Sequence, residues 1–154
     1  MLFRSEVGVT DPIPNFSACF GSPFLVWHPT KYAELLADKI KEFGANAWLV
    51  NTGWAGGAYP DAKRMPIKVS RALIDAAHSG VLDTVEWEEF PIFNLQIPKE
   101  VPGVPTEILN PANSWEDKDK FMKTLENLAT LFNKNFEQYA SEASPELLAA
   151  APRF

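Results

Sequence analysis

Residues 30–57 read Thr30-Lys-Tyr-Ala-Glu-Leu-Leu-Ala-Asp-Lys-Ile-Lys-Glu-Phe-Gly44-Ala-Asn46-Ala-Trp-Leu-Val-Asn51-Thr-Gly53-Trp-Ala-Gly56-Gly57. Tyr32, Leu36, Ile40 and Phe43 recur at spacings of four, four and three, which predicts a helix over 30–43. Thr30 is placed to cap its first turn, and Gly44 supplies a left-handed stop. Residues 46–51 then read as a short buried strand, and 52–62 as a glycine-bearing loop. Helix, strand and glycine loop in this order is the local grammar of an α/β nucleotide-binding protein.

Downstream, Ser70 and Gly80 bracket a second predicted helix over 70–79, and 92–97 reads as a strand. The clearest helix is predicted over 115–140. Phe121, Leu125, Leu128, Phe132, Phe136 and Tyr139 mark one face, and Ser114 and Asp117 are spaced like a capping box. Beyond Ala140 the pattern is that of a weak terminal helix or a disordered tail. Upstream, residues 1–29 are aromatic but broken by Pro12, Pro14, Gly21, Pro23 and Pro29, which predicts loops whose apolar side chains need a cover. Five prolines between 91 and 111 predict an ordered, extended connector. The fold class read from these signals is α/β, part of a mononucleotide-binding domain with a mixed sheet and flanking helices, ending in a long amphipathic helix.

The chain has 154 residues, enough for one domain or part of a larger one. It is 46% hydrophobic and 22% charged, so a disordered class is excluded. No run reaches the ~18–20 apolar residues of a membrane span, and the opening Met-Leu-Phe-Arg-Ser-Glu does not read as a secretory signal. The single Cys19 points to a reducing, cytoplasmic setting. Net charge is −6 and uneven: residues 1–79 hold eight basic and seven acidic residues, residues 80–154 six and thirteen. Such a chain is a poor nucleic-acid binder. Yet Lys63, Arg64, Lys68 and Arg71 fall within nine positions, the pattern of an anion site.

The candidate site is therefore the loop Asn51–Gly57 with Lys63-Arg64 beyond it. Glycine lets a backbone approach a ligand closely, and a guanidinium stacks flat on a planar base. From spacing alone, a tight turn followed by solvated charges is equally compatible. Ser70 reads as a helix cap or as a ligand-bonding hydroxyl. No Gly-x-x-x-x-Gly-Lys-Ser/Thr and no Gly-x-Gly-x-x-Gly occurs, so the usual phosphate cradle is missing. His28, His78 and Cys19 read as structural, and the acidic run Asp83, Glu86, Glu88, Glu89 as a solvated face. No nucleophile, acid/base pair or metal constellation is complete, so no catalytic or metal-binding residue is assigned.

Longer motifs add to this. Pro14-Asn-Phe-Ser-Ala-Cys-Phe-Gly21, Phe24-Leu25, His28-Pro-Thr-Lys-Tyr-Ala33, Trp48-Leu-Val-Asn-Thr-Gly-Trp54, Lys63-Arg-Met65, Ser70-Arg-Ala72, Ile97-Pro98, Pro102-Gly-Val104, Ile108-Leu-Asn-Pro111 and Leu131-Phe132-x-x-Asn135-Phe136 closely resemble ATP-dependent phosphoenolpyruvate carboxykinase. The resemblance runs from about Glu6 to the end and covers what looks like the C-terminal third of that family's enzymes. It implies conversion of oxaloacetate and ATP to phosphoenolpyruvate, CO2 and ADP, in gluconeogenesis, with Mg²⁺ on the nucleotide and Mn²⁺ as a second ion. It implies that the P-loop, the metal ligands and the oxaloacetate-binding arginine lie on the N-terminal part of the same enzyme, so this chain alone is expected to be inactive. What carries over is the adenine side of the ATP site: Arg64, Met65 and Ser70, with serine where the family has threonine. Met65 is expected to cover a purine face. The stretch Ala58-Tyr-Pro-Asp-Ala62 departs from the family's usual glycines. The alternative function is a non-catalytic module that binds nucleotides weakly or associates with itself.

Overall fold

The structure is a computed structural model, and it describes Phe16 and residues 21–154. Cys19 and most of the predicted N-terminal loop lie outside the described residues.

Helix α1 spans Pro29–Phe43, with Pro29 at its first turn and His28 at the N-cap position. It starts one residue before the predicted boundary, because proline's fixed φ suits a first helical residue. Thr30 is consequently inside the helix. Its hydroxyl lies 2.7 Å from His28 Nδ1, which is also 3.3 Å from Glu142 Oε2. Gly44 ends the helix as expected, at φ 60° and donating to Ile40 O. The predicted apolar stripe does form, but it is not covered: Leu36 is 63% and Phe43 72% exposed.

The expected strand over 46–51 is not realised. Among the described residues this segment pairs with no strand. A ladder needs a partner, and a run of apolar residues cannot create one locally. Trp48 stacks on Trp87 at 5.5 Å, while Leu49 points away and is 87% exposed.

Strands β1 (Trp54–Ala55) and β2 (Lys63–Arg64) pair antiparallel, and helix α2 (Ile67–Ser79) follows. Helix α2 begins three residues before the expected Ser70, with Pro66 in the N-cap position. Its C-cap Gly80 takes φ 75°, as the sequence indicates. A hairpin of β3 (Trp87–Phe90) and β4 (Leu95–Pro98) comes next. The expected strand over 92–97 is thus split. Residues 91–94 form the turn, with Ile92 at φ 69° and Asn94 at φ 52°.

The proline-rich connector is ordered but folded rather than extended. Val101 and Val104 bridge around Gly103, and Pro105 and Pro111 start the short helices α3 (Thr106–Leu109) and α4 (Pro111–Ser114). Helix α5 (Lys118–Phe136) is capped by Asp117, whose carboxylate accepts from Lys120 N at 2.9 Å. Ser114 belongs instead to α4. A 3-10 turn continues α5 over Glu137–Glu142, and helix α6 spans Pro145–Ala149. The tail is therefore ordered: Arg153 N donates to Ile92 O at 2.9 Å, tying the end of the chain to the hairpin turn.

Two apolar clusters hold these elements. One gathers Met65, Val69, Ala76, Leu82, Val101 and Val104 beneath α2. The other packs Phe90, Phe121 and Leu125 between the hairpin and α5. Helices and small antiparallel sheets thus make an α/β arrangement with the long helix α5 toward its C-terminal end, followed by the 3-10 turn and α6.

Candidate functional site

The site is built on the β1–β2 hairpin. Asn51 opens it: its Oδ1 accepts from Gly53 N at 2.9 Å, and its Nδ2 donates to Trp54 O at 3.0 Å. An asparagine side chain that bonds to the backbone two residues on fixes such a turn. Trp54 then faces Arg64 directly across the ladder, and Ala55 faces Lys63. Met65 N donates to Gly53 O at 2.8 Å, extending the pairing by one step.

The intervening loop closes on itself. Gly56 sits at φ 77°, and a Cβ there would lie 3.0 Å from Ser114 O of α4. Ala62 N donates to Ala58 O at 3.0 Å, and the Tyr59–Pro60 peptide is cis. The residues that depart from the family's glycines therefore form a tight excursion between β1 and β2.

Side chains alternate along a strand, and directly opposed residues share a face. This rule sorts the predicted site residues. Arg64 is exposed, and its guanidinium lies 5.1 Å over the Trp54 ring. Met65 is on the opposite side, 6% exposed and packed with Val69, Val101 and Val104. Its thioether is turned into the core and not toward the face that carries Arg64, and it anchors the strand from below. Ser70 is the fourth residue of α2 and half-buried, with its N–H donating to Pro66 O at 3.1 Å. It does not cap the helix, whose N-cap position is held by Pro66. The sequence places Trp54 in the candidate loop Asn51–Gly57 without giving it a role of its own. Its register opposite Arg64 is legible only once the hairpin is paired.

Electrostatically the site is unneutralised. Lys63, Arg64, Lys68 and Arg71 are all exposed, and none makes an ion pair with a carboxylate among the described residues. Lys68 and Arg71, three apart on α2, share a helix face. Four cations without a carboxylate partner among the described residues favour an anionic ligand. The acidic run elsewhere is used structurally: Glu86 pairs with Lys99 at 3.0 Å, which with its hydrogen bond holds the lysine above its ordinary value, and Glu88 accepts from Asn110. Among the described residues no group of three His, Cys, Asp or Glu side chains is placed to hold a metal ion.

The family model for phosphoenolpyruvate carboxykinase matches residues 2–107 of this chain. This chain belongs to that carboxykinase family. A carboxykinase (ATP) from Candida albicans is 56% identical over 151 residues, covering 96% of this chain and 27% of the relative. One from Dictyostelium discoideum is 50% identical over 148 residues, with 96% and 26% covered. The Saccharomyces cerevisiae carboxykinase is 49% identical over 152 residues, with 97% and 28% covered. The chain thus spans about a quarter of the length of these relatives, less than the third that the resemblance implied.

Proposed function

We propose that this chain is the C-terminal portion of the nucleotide-binding domain of an ATP-dependent phosphoenolpyruvate carboxykinase and supplies the adenine side of its ATP site. The complete enzyme would convert oxaloacetate and ATP to phosphoenolpyruvate, CO2 and ADP, serving gluconeogenesis in the cytoplasm. The observation that carries this reading is the exposed Arg64 guanidinium, laid over Trp54 at 5.1 Å, with three further cations nearby in sequence that make no ion pair among the described residues. A planar cation of this kind stacks on a purine and bonds to it through its edge. Ser70 adds a hydroxyl donor on the adjoining helix. Met65 serves from the core side, by fixing where Arg64 stands.

The residues present suit a nucleotide base and not the divalent ions. The Mg²⁺ and Mn²⁺ of the complete enzyme find no donor cluster among the described residues, and the chain has no P-loop motif. Phosphoryl transfer rests on positioning and charge neutralisation. Those groups belong to the N-terminal part of the same enzyme. Its seat on this chain is the uncovered surface of α1 and residues 46–51, where Leu36, Phe43 and Leu49 stand in water. A segment that presents Trp48 to one side and Leu49 to the other asks for layers on both faces. A second copy pairing edge to edge leaves one of them open, so the missing part of the enzyme is the better occupant.

The test replaces the matched stretch of the Candida albicans enzyme with this chain. The chimera forms phosphoenolpyruvate, and Arg64→Ala raises its KM for ATP while sparing KM for oxaloacetate. The chain alone, given oxaloacetate, ATP, Mg²⁺ and Mn²⁺, forms none. An unchanged KM for ATP in Arg64→Ala, or activity of the isolated chain, overturns the proposal.

A further inference from the structure

The Arg64 side chain has four single bonds to rotate about, and an exposed arginine ordinarily samples many of their settings. Here its position is constrained from one side. Trp54 is the directly opposed residue in the β1–β2 register, so both side chains leave the same face of the hairpin. The guanidinium carbon sits 5.1 Å from the indole centroid, within the range of a cation–π contact. The indole is itself held. Its backbone carbonyl accepts from Asn51 Nδ2, its neighbour Gly53 is paired with Met65, and the Tyr59 ring lies 5.5 Å away, tilted by 56°.

We infer that Trp54 is a positioning residue for nucleotide recognition: its indole occupies one face of the Arg64 guanidinium and presents the other face to a purine ring. The order of the stack would be indole, guanidinium, base. This inference rests on the proposed adenine-side role of Arg64 and adds the residue that sets its orientation. Trp54 touches no reacting atom. Its effect is to remove conformers of Arg64 that are unproductive for binding, so it acts on ATP affinity and not on the chemical step.

Magnitude separates this role from general packing. An exposed cation–π contact is worth ~0.5–1 kcal/mol, so Trp54→Leu in the chimeric full-length enzyme raises KM for ATP about two- to fivefold and leaves kcat and KM for oxaloacetate unchanged. Trp54→Phe keeps an aromatic face and recovers part of the loss. The deciding measurement is a double-mutant cycle with Arg64→Ala. Once Arg64 is gone, Trp54→Leu has nothing left to position and adds no further rise in KM. If Arg64→Ala weakens ATP binding but the two substitutions simply multiply, the positioning role is refuted and the adenine-side reading survives. If Arg64→Ala has no effect on KM for ATP, the adenine-side reading itself fails. Equal loss in Trp54→Leu and Trp54→Phe, accompanied by lower kcat, assigns Trp54 to packing only and also refutes the inference.

Discussion

Leu49→Ala distinguishes a strand awaiting its sheet from a loop that is meant to face water. In the chain alone Leu49 is 87% exposed. Fully burying a leucine side chain is worth ~1.5–3 kcal/mol, and only about an eighth of this one is withdrawn from solvent. Truncation in the isolated chain should therefore cost less than ~0.5 kcal/mol. In the complete enzyme, where the proposed layer covers it, the same truncation opens a cavity and costs ~2–5 kcal/mol. Leu125→Ala is the control. Leu125 is 6% exposed against Phe90 and Phe121, so its truncation costs ~2–5 kcal/mol in both contexts. Urea denaturation followed by tryptophan fluorescence, on the chain and on the chimera, measures all four values. The reasoning is refuted if Leu49→Ala is as costly as Leu125→Ala in the isolated chain, or harmless in the chimera.

Three other perturbations follow from particular contacts. Asp117→Ala removes the acceptor for Lys120 N and should cost ~1 kcal/mol of α5 stability, read as a lower denaturation midpoint, with Asp117→Asn largely neutral. Gly56→Ala forces a side chain into φ 77° and brings Cβ to 3.0 Å from Ser114 O; a loss of ~1–2 kcal/mol is expected, whereas Gly57→Ala meets nothing nearer than 3.7 Å and should be tolerated. The Glu146 carboxylate is held below its ordinary value, first by its own backbone N–H and then by the Ser144 hydroxyl. A lowered folded pKa means that the stabilisation is present above the ordinary value of 4.5 and is lost as pH falls through the folded one. The amide signals of α6 should thus shift on acidification, and Glu146→Gln should abolish that response; an unchanged titration in the variant would count against it.

What could be read in advance divides along local and non-local lines. The stops at Gly44 and Gly80 were legible because a left-handed cap needs only its own helix. The start of α2 was not: Pro66 holds the N-cap position with no side-chain cap, and Ser70 offered a stronger but misleading signal. The hairpin turn at 91–94 was hidden by its apolar residues Ile92 and Phe93, which pack toward Phe90 and Phe121. The segment 46–51 has the composition of a strand, yet it finds no pairing partner among the described residues. At the site, the resemblance drew attention to 64–70, while the inward turn of Met65 and the contact between Trp54 and Arg64 emerged only from the paired register.

Arg64 and Met65 are neighbours that look in opposite directions, one toward solvent and one into the cluster with Val69, Val101 and Val104. A shift of one position in this hairpin would exchange their destinations. The solvent-facing cation is thereby indexed to the interior, and the thioether works as a detent that keeps the strand in a single setting. Variation in the interior beneath α2 should therefore surface as altered nucleotide preference, even at positions that no nucleotide ever meets.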